Sequence, residues 1–173
     1  WAHEAGIKLL NMHIIEGAKM TLPDKIVYIY DQYSNQYQHS FVESIKELSS
    51  KAESFGITIA IENSHNFGQK YIQQVLDKAI RYPNIKLTWD TGHDAKSKFT
   101  DKEYLMKNSD KIVHMHLHDA IGNKDHQIPF DGELNIEELI TFAKQQDITM
   151  LIEVKTAAAL RKSVRILREK KLI

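Results

Sequence analysis

The chain of 173 residues contains no cysteine. That removes disulfide frameworks, thiolate nucleophiles and Cys-ligated zinc, and it is compatible with a reducing cytoplasm. Neither sign of charge is in excess: 23 basic residues balance 23 acidic ones, so no global field gathers nucleic acid or an anionic membrane. No apolar run approaches the ~20 residues of a membrane span, and no charged-then-apolar leader opens the sequence. What is left is one domain's worth of chain, long enough to bury a sizeable core.

Histidine, by contrast, is plentiful. Three of the nine histidines alternate with apolar residues in Ile112-Val113-His114-Met115-His116-Leu117-His118-Asp119. On a β-strand, alternate side chains share a face, so His114, His116 and His118 point one way and Val113, Met115 and Leu117 the other. Imidazoles are common metal ligands. Same-face side chains along one strand stand ~7 Å apart, however, so a single strand cannot aim three of them at one ion.

Along the chain, Ala2 to Leu9 reads as the end of a helix with Gly6 as its stop, and Ile7 to His13 as a short buried strand. A long loop is expected from Glu16 to Ser40, with tyrosines at 28, 30, 33 and 37 that either stack on a ligand or pack over a neighbouring helix. Phe41 to Phe55 has the apolar spacing of an amphipathic helix (Phe41, Ile45, Leu48, Ala52, Phe55), stopped by Gly56. Ile57 to Asn63 is the next strand, followed by a helix over Gln69–Tyr82 and a strand over Ile85–Asp90 that continues into Thr91-Gly92-His93. Thr100 and Glu103 form a capping-box pattern for a short helix. After the histidine strand come a polar loop from Ala120 to Gly132 and a helix over Ile136–Gln146 that opens on Asn135 and Glu138. The strand Ile148–Glu153 and a helix over Thr156–Lys171 with a buried stripe of Ala157, Leu160, Val164 and Leu167 complete the chain.

Strands alternate with helices, and the strands are almost continuously apolar, which is the pattern of a parallel sheet covered by helices. Five strands end in His13, Glu62, Asp90, His116 with Asp119, and Glu153. In parallel α/β folds those ends share one edge, where active sites form. A carboxylate at a strand end commonly just caps the next helix, but that explanation must hold separately at each strand. The donors suit Mn²⁺, Mg²⁺, Co²⁺, Fe²⁺ or Zn²⁺, and the ligand set alone does not choose among them.

In this order, Asn11-Met12-His13, Ile59-Ala60-Ile61-Glu62-Asn63, Trp89-Asp90-Thr91-Gly92-His93, His114 to Asp119 and Leu151-Ile152-Glu153 resemble the xylose-isomerase-like TIM barrels. That superfamily is shared by sugar isomerases and epimerases and by endonuclease IV (AP endonuclease family 2). The resemblance covers essentially the whole chain. It implies a parallel (β/α) barrel of which this chain is strands four to eight, with strands one to three missing, so that the chain is a fragment or its missing part is supplied by another chain or an oligomer. It also implies one divalent ion on Glu62, Asp90, His116 and Glu153. His93 matches a position that contacts substrate in epimerases and a further metal in nucleases, and His13 matches another nuclease metal position. Asp125 and His126 resemble the nuclease Asp-x-His pair but are adjacent here, which puts a third metal in doubt. Pro129-Phe130-Asp131-Gly132-Glu133-Leu134 replaces the family's more usual Gly-x-Gly turn. His118 and Asp119 are read as supporting or loop-anchoring groups, and His114 as filling the barrel interior below the site.

Three functions follow as expectations. The first is a metal-dependent isomerase or epimerase of a small sugar or polyol derivative, with Glu62 and Glu153 exchanging a proton through an enediol and His93 hydrogen-bonding a substrate oxygen. The second is a phosphodiesterase like endonuclease IV acting on abasic DNA, disfavoured by the balanced charge. The third is a non-catalytic remnant that binds a metal or ligand.

Overall fold

A computed structural model describes residues 1–173. The first residues make a single turn rather than a helix. The Gly6 N–H donates to His3 O and the Ile7 N–H to Ala2 O, the paired bonds of a Schellman stop, with Gly6 at φ +72°. Strand β1 therefore runs Leu9–His13 and begins at Leu9 instead of Ile7.

The long loop expected from Glu16 to Ser40 is corrected by the structure. It contains a hairpin of β2 (Lys19–Thr21) and β3 (Ile26–Tyr28), a one-turn helix α1 (Ile29–Gln32) and the first turns of α2 (Ser34–Ser54). The early turns of α2 escape periodicity because Tyr37 is the only apolar residue between Ser34 and Ser40. Tyr37 serves packing: it is buried, with ring centroids 5.3 Å from Tyr71 and 5.1 Å from Tyr30, whereas Tyr33 stays exposed. The Tyr37 and Tyr71 hydroxyls donate to the carbonyls of Ile15 and Glu16 and tie the segment to the end of β1. At the far end of α2, Gly56 (φ +63°) repeats the stop seen at Gly6: its N–H donates to Glu53 O and that of Ile57 to Ala52 O.

Next come β4 (Thr58–Glu62), α3 (Lys70–Ala79) and β5 (Ile85–Asp90). The expected face of α3, Tyr71, Ile72, Val75, Leu76 and Ala79, is buried. A helix that the apolar pattern did not announce, α4 (Thr91–Lys96), follows β5 without a loop. In α5 (Lys102–Lys107) the Thr100–Glu103 capping box does not form. Asp101 stands at the cap position, and its carboxylate is committed to the N–H groups of His65 and Gly68 and to the Asn63 amide. Strand β6 (Ile112–Leu117) leads into a hairpin of β7 (Asp119–Ile121) and β8 (Lys124–Gln127) where a polar loop was expected. Helix α6 (Ile136–Gln145) starts as read, with the Asn135 side chain accepting the Glu138 N–H. Strand β9 (Thr149–Ile152) and helix α7 (Ala157–Glu169) end the chain.

The five long strands form one parallel sheet in the order β1-β4-β5-β6-β9, a curled partial α/β TIM barrel with its helices on the convex side. Ile61, Leu87 and Met115 point to the helices and are fully buried, each contributing ~1.5–3 kcal/mol relative to exposure. The register sets His13 beside Glu62, Glu62 beside Thr88, and Asp90 beside His116. It slips once: Leu87 faces Ile112 but Thr88 faces His114, which leaves Val113 as an extra residue in β6.

The two edge strands explain a further correction. Helix α7 follows β9, which has a neighbour on one side only. Its buried positions are Ser163 and Leu167, whereas Ala157 is exposed and Leu160 stays 42% exposed, contrary to the expected stripe. At the other edge, beside β1, Leu48 and Phe55 of the α2 face are likewise open to solvent.

Candidate metal centre

Glu62 ends β4, Asp90 ends β5, His116 stands one residue before the end of β6, and Glu153 follows β9. The parallel register therefore delivers all four to the same edge of the sheet. One ligand atom from each lies within 4.8 Å of the others. His116 Nδ1 is at the middle, 3.3 Å from Glu62 Oε1, 3.7 Å from Asp90 Oδ2 and 2.9 Å from Glu153 Oε2.

Three carboxylates around one imidazole leave an excess of negative charge in a largely buried space, which is costly unless a cation answers it. Burial works against the charge on Glu62, yet the neighbouring His116 and His93 imidazoles and the Asn11 amide hold it at about 2. Burial equally opposes Asp90, and His116 and His118 keep it far below the usual carboxylate range. His116 is pushed the other way: burial disfavours its charge, but Asp90, Glu62 and Glu153 raise it to about 10. Two buried atoms, His116 Nδ1 and Glu153 Oε2, have no hydrogen-bond partner although they stand 2.9 Å apart. One imidazole nitrogen and three carboxylates that converge, two of the facing atoms without a hydrogen bond, fit a divalent cation.

The surrounding residues hold these donors in place. Asp90 also caps α4, its Oδ1 accepting the His93 N–H, so the structural and the chemical readings of this strand-end carboxylate are both true. Asn63, which sequence reasoning passed over, clamps the end of β5: its Oδ1 accepts the Asp90 N–H at 2.7 Å and its Nδ2 donates to Asp90 O. His118 is fully buried and its Nε2 lies 2.9 Å from Asp90 Oδ1. Asp119 is a loop anchor whose carboxylate accepts the N–H groups of Ala120, Phe130, Gly132 and Leu134, and so shapes the Pro129–Leu134 turn.

His93 lies over the carboxylates, with Nδ1 3.5 Å from Glu62 Oε1 and 3.4 Å from Asp90 Oδ2. Burial lowers its proton affinity, but those two charges more than compensate and raise it. His13 is half exposed, 3.6 Å from Glu62 Oε2. His65, another residue the sequence did not single out, packs edge-on to His93 at 5.1 Å, and its Nδ1–H donates to the His93 carbonyl. Asp125 and His126 stand outside the four-residue cluster, paired to each other and, through Asp125, to Lys96. His114 shares the inner face below His116, its ring 5.2 Å away and its Nδ1 2.7 Å from Thr149 Oγ1.

A family model described as xylose isomerase-like TIM barrel matches residues 1–170. Uncharacterized protein MJ1614 of Methanocaldococcus jannaschii is 29% identical over 152 residues, which cover 85% of this chain and 59% of that protein. The chain thus spans about three fifths of the length of such curated relatives. Among solved structures, a D-tagatose 3-epimerase-like protein superposes with a TM-score of 0.75 at 24% identity, covering 97% of this chain and 63% of that one. The IOLI protein, solved with a bound zinc atom, superposes with a TM-score of 0.65 at 19% identity, over 99% of this chain and 63% of its own. No helix is long and apolar enough to cross a membrane.

Proposed function

Because the chain belongs to the xylose isomerase-like TIM-barrel family, we propose that its strand-end cluster serves a divalent-metal-dependent isomerase or epimerase of a small sugar or polyol derivative. The observation that carries this reading is that Glu62 Oε1 and Glu153 Oε2 both come close to His116 Nδ1, at 3.3 and 2.9 Å. Glu62, Asp90, His116 and Glu153 would hold the ion. When bound, it supplies Lewis-acid polarisation of the substrate carbonyl.

The chain's own residues carry the proton. One of the two glutamates removes it from the carbon beside the carbonyl, and the other returns it on the opposite face of the resulting enediol. His93, standing over Glu62 and Asp90, donates a hydrogen bond to a substrate oxygen. Asp90 and His116 do no proton transfer. The names of the solved relatives, an epimerase-like protein and a zinc-binding one, support this class of substrate and cofactor. The balanced charge favours a small substrate over abasic DNA, and the lack of cysteine suits a cytoplasmic setting.

The test is solvent exchange. Incubated with Mn²⁺, Co²⁺, Mg²⁺ or Zn²⁺ and a panel of ketoses in D₂O, the protein should place deuterium on the carbon next to the carbonyl. Glu153→Gln, which keeps the volume but cannot take up the proton, should abolish that exchange with little change in the fold. Exchange at the wild-type rate in this variant would remove the mechanism. Ordered binding of abasic duplex that weakens steeply with salt would favour the nuclease instead.

A further inference from the structure

The pair Asp125–His126 is not used by the mechanism above, and its geometry is specific. We infer that His126 is a positioning residue for Glu153, with Asp125 fixing its ring, rather than a ligand of a further ion. The inference rests on the metal-centred reading and deepens it.

The side chain gives the first observation. His126 Nδ1 lies 2.9 Å from Asp125 Oδ1, and Nε2 lies 3.4 Å from Glu153 Oε1. Both facing groups are carboxylate oxygens, which can only accept, so the ring bridges them by donating from each nitrogen, Nδ1–H to Asp125 Oδ1 and Nε2–H toward Glu153 Oε1. The other oxygen of Glu153, Oε2, is the one 2.9 Å from His116. The two oxygens of one carboxylate thus have separate neighbours, the inner one in the cluster and the outer one on His126.

The main chain gives the second. His126 has φ +55°, a left-handed conformation for a non-glycine residue, and its N–H donates to His118 Nδ1 at 2.8 Å. That bond leaves Nε2 as the protonated nitrogen of His118, donating to Asp90 Oδ1. The rings of His118 and His126 are stacked at 4.4 Å and 4°, so neither turns freely. One residue therefore reaches two of the four candidate ligands, Asp90 through its backbone and His118, and Glu153 through its own ring. It also explains why no separate ion is needed at His118, His126 and Glu153: both His118 nitrogens are already engaged.

Glu153 is the ligand that most needs such a restraint. It follows an edge strand, and its side chain is 35% exposed against 10% for His116, 2% for Glu62 and none for Asp90. Groups that orient a metal ligand from outside are worth ~10–100-fold in metal affinity or activity.

The experiment titrates the full chain with Co²⁺, reading affinity and the visible spectrum, which reports coordination geometry. Three variants divide the roles. Asn tolerates the left-handed backbone and keeps the N–H to His118, but is too short to reach Glu153. Gln can place an amide near the position of Nε2. Asp125→Asn removes the charge that fixes the ring. His126→Asn should weaken Co²⁺ binding ~10–100-fold and alter the spectrum, with the metal-free melting temperature unchanged. His126→Gln should recover most of the affinity, and Asp125→Asn should fall between. Wild-type affinity and spectrum in His126→Asn would overturn the inference, as would a loss of one of two bound ions, since His126 would then be a ligand. If His126→Asn also melts early, Asp125→Asn decides: wild-type binding there overturns the positioning role. A wild-type chain that binds no Co²⁺ overturns the metal-centred reading itself, and this inference with it.

Discussion

Cε1 of His118 lies 2.1 Å from where a Cβ on residue 92 would sit, so the imidazole fills the space that Gly92 leaves open. No unusual backbone angle demands glycine at this position; closeness alone does. The glycine of Asp-Thr-Gly-His and the second histidine of His-Leu-His-Asp are thus two halves of one contact. Gly92→Ala must push His118 away from Asp90 or move the start of α4. We expect a loss of about 1–3 kcal/mol in urea unfolding, together with disappearance of the hydrogen-bonded His118 Nε2 proton from the NMR spectrum. An unchanged midpoint and an unchanged proton would contradict the geometry.

Asp119 accepts from four backbone N–H groups, three of them in the turn between Phe130 and Leu134. Asp119→Ala strips all four of their partner. Unsatisfied donors cost ~1–3 kcal/mol each, but an opened turn lets water reach several of them, so a net loss of about 2–4 kcal/mol is expected. Amide hydrogen exchange at residues 130, 132 and 134 should accelerate ahead of the sheet. Asp119→Asn, which keeps one acceptor oxygen, should lose less. Exchange that stays slow in the alanine variant would show that the turn holds itself.

Asp94 is buried behind the sheet, its Oδ2 accepting from Trp89 Nε1 at 3.2 Å and its Oδ1 without a partner. Burial, reinforced by the charge of Asp101, pushes its carboxyl from 3.8 to about 7. A folded-state value above the unfolded one means that the native state holds more protons in between, so this group's contribution to stability falls as pH rises through that window. Asp94→Asn removes the titration. Relative to wild type, the variant should gain stability between pH 5 and pH 8, read as a widening difference in urea midpoints. A difference that stays constant over that range would sink the assignment.

The sheet and the gathering of its strand-end side chains were largely legible from sequence because two strong signals agreed. Apolar runs such as Ile57–Ile61, ended by glycine on one side and a carboxylate on the other, mark strands whose ends coincide in space. The two hairpins were less legible, since their strands are short and polar, although Gly122-Asn123 between β7 and β8 is a turn signal of the right length. The supports of the site were hidden for a different reason. Asn63 clamps Asp90 across two strands, Asp101 ties down the turn after β4 from the start of α5, and Gly92 is chosen by a ring that arrives from β6's end. Each depends on a partner distant in sequence, and no local pattern announces it.

The spare residue in β6 has one more implication. With Leu87 opposite Ile112, an unbroken ladder would bring Asp90 level with Met115 and turn His116 toward the helices; Val113 prevents that by taking up one place. A sheet without the irregularity could pack equally well and would present a thioether where an imidazole now stands. Structural soundness and chemical competence are therefore separable in this fold. Selection for a well-formed sheet alone would have no reason to keep the bulge.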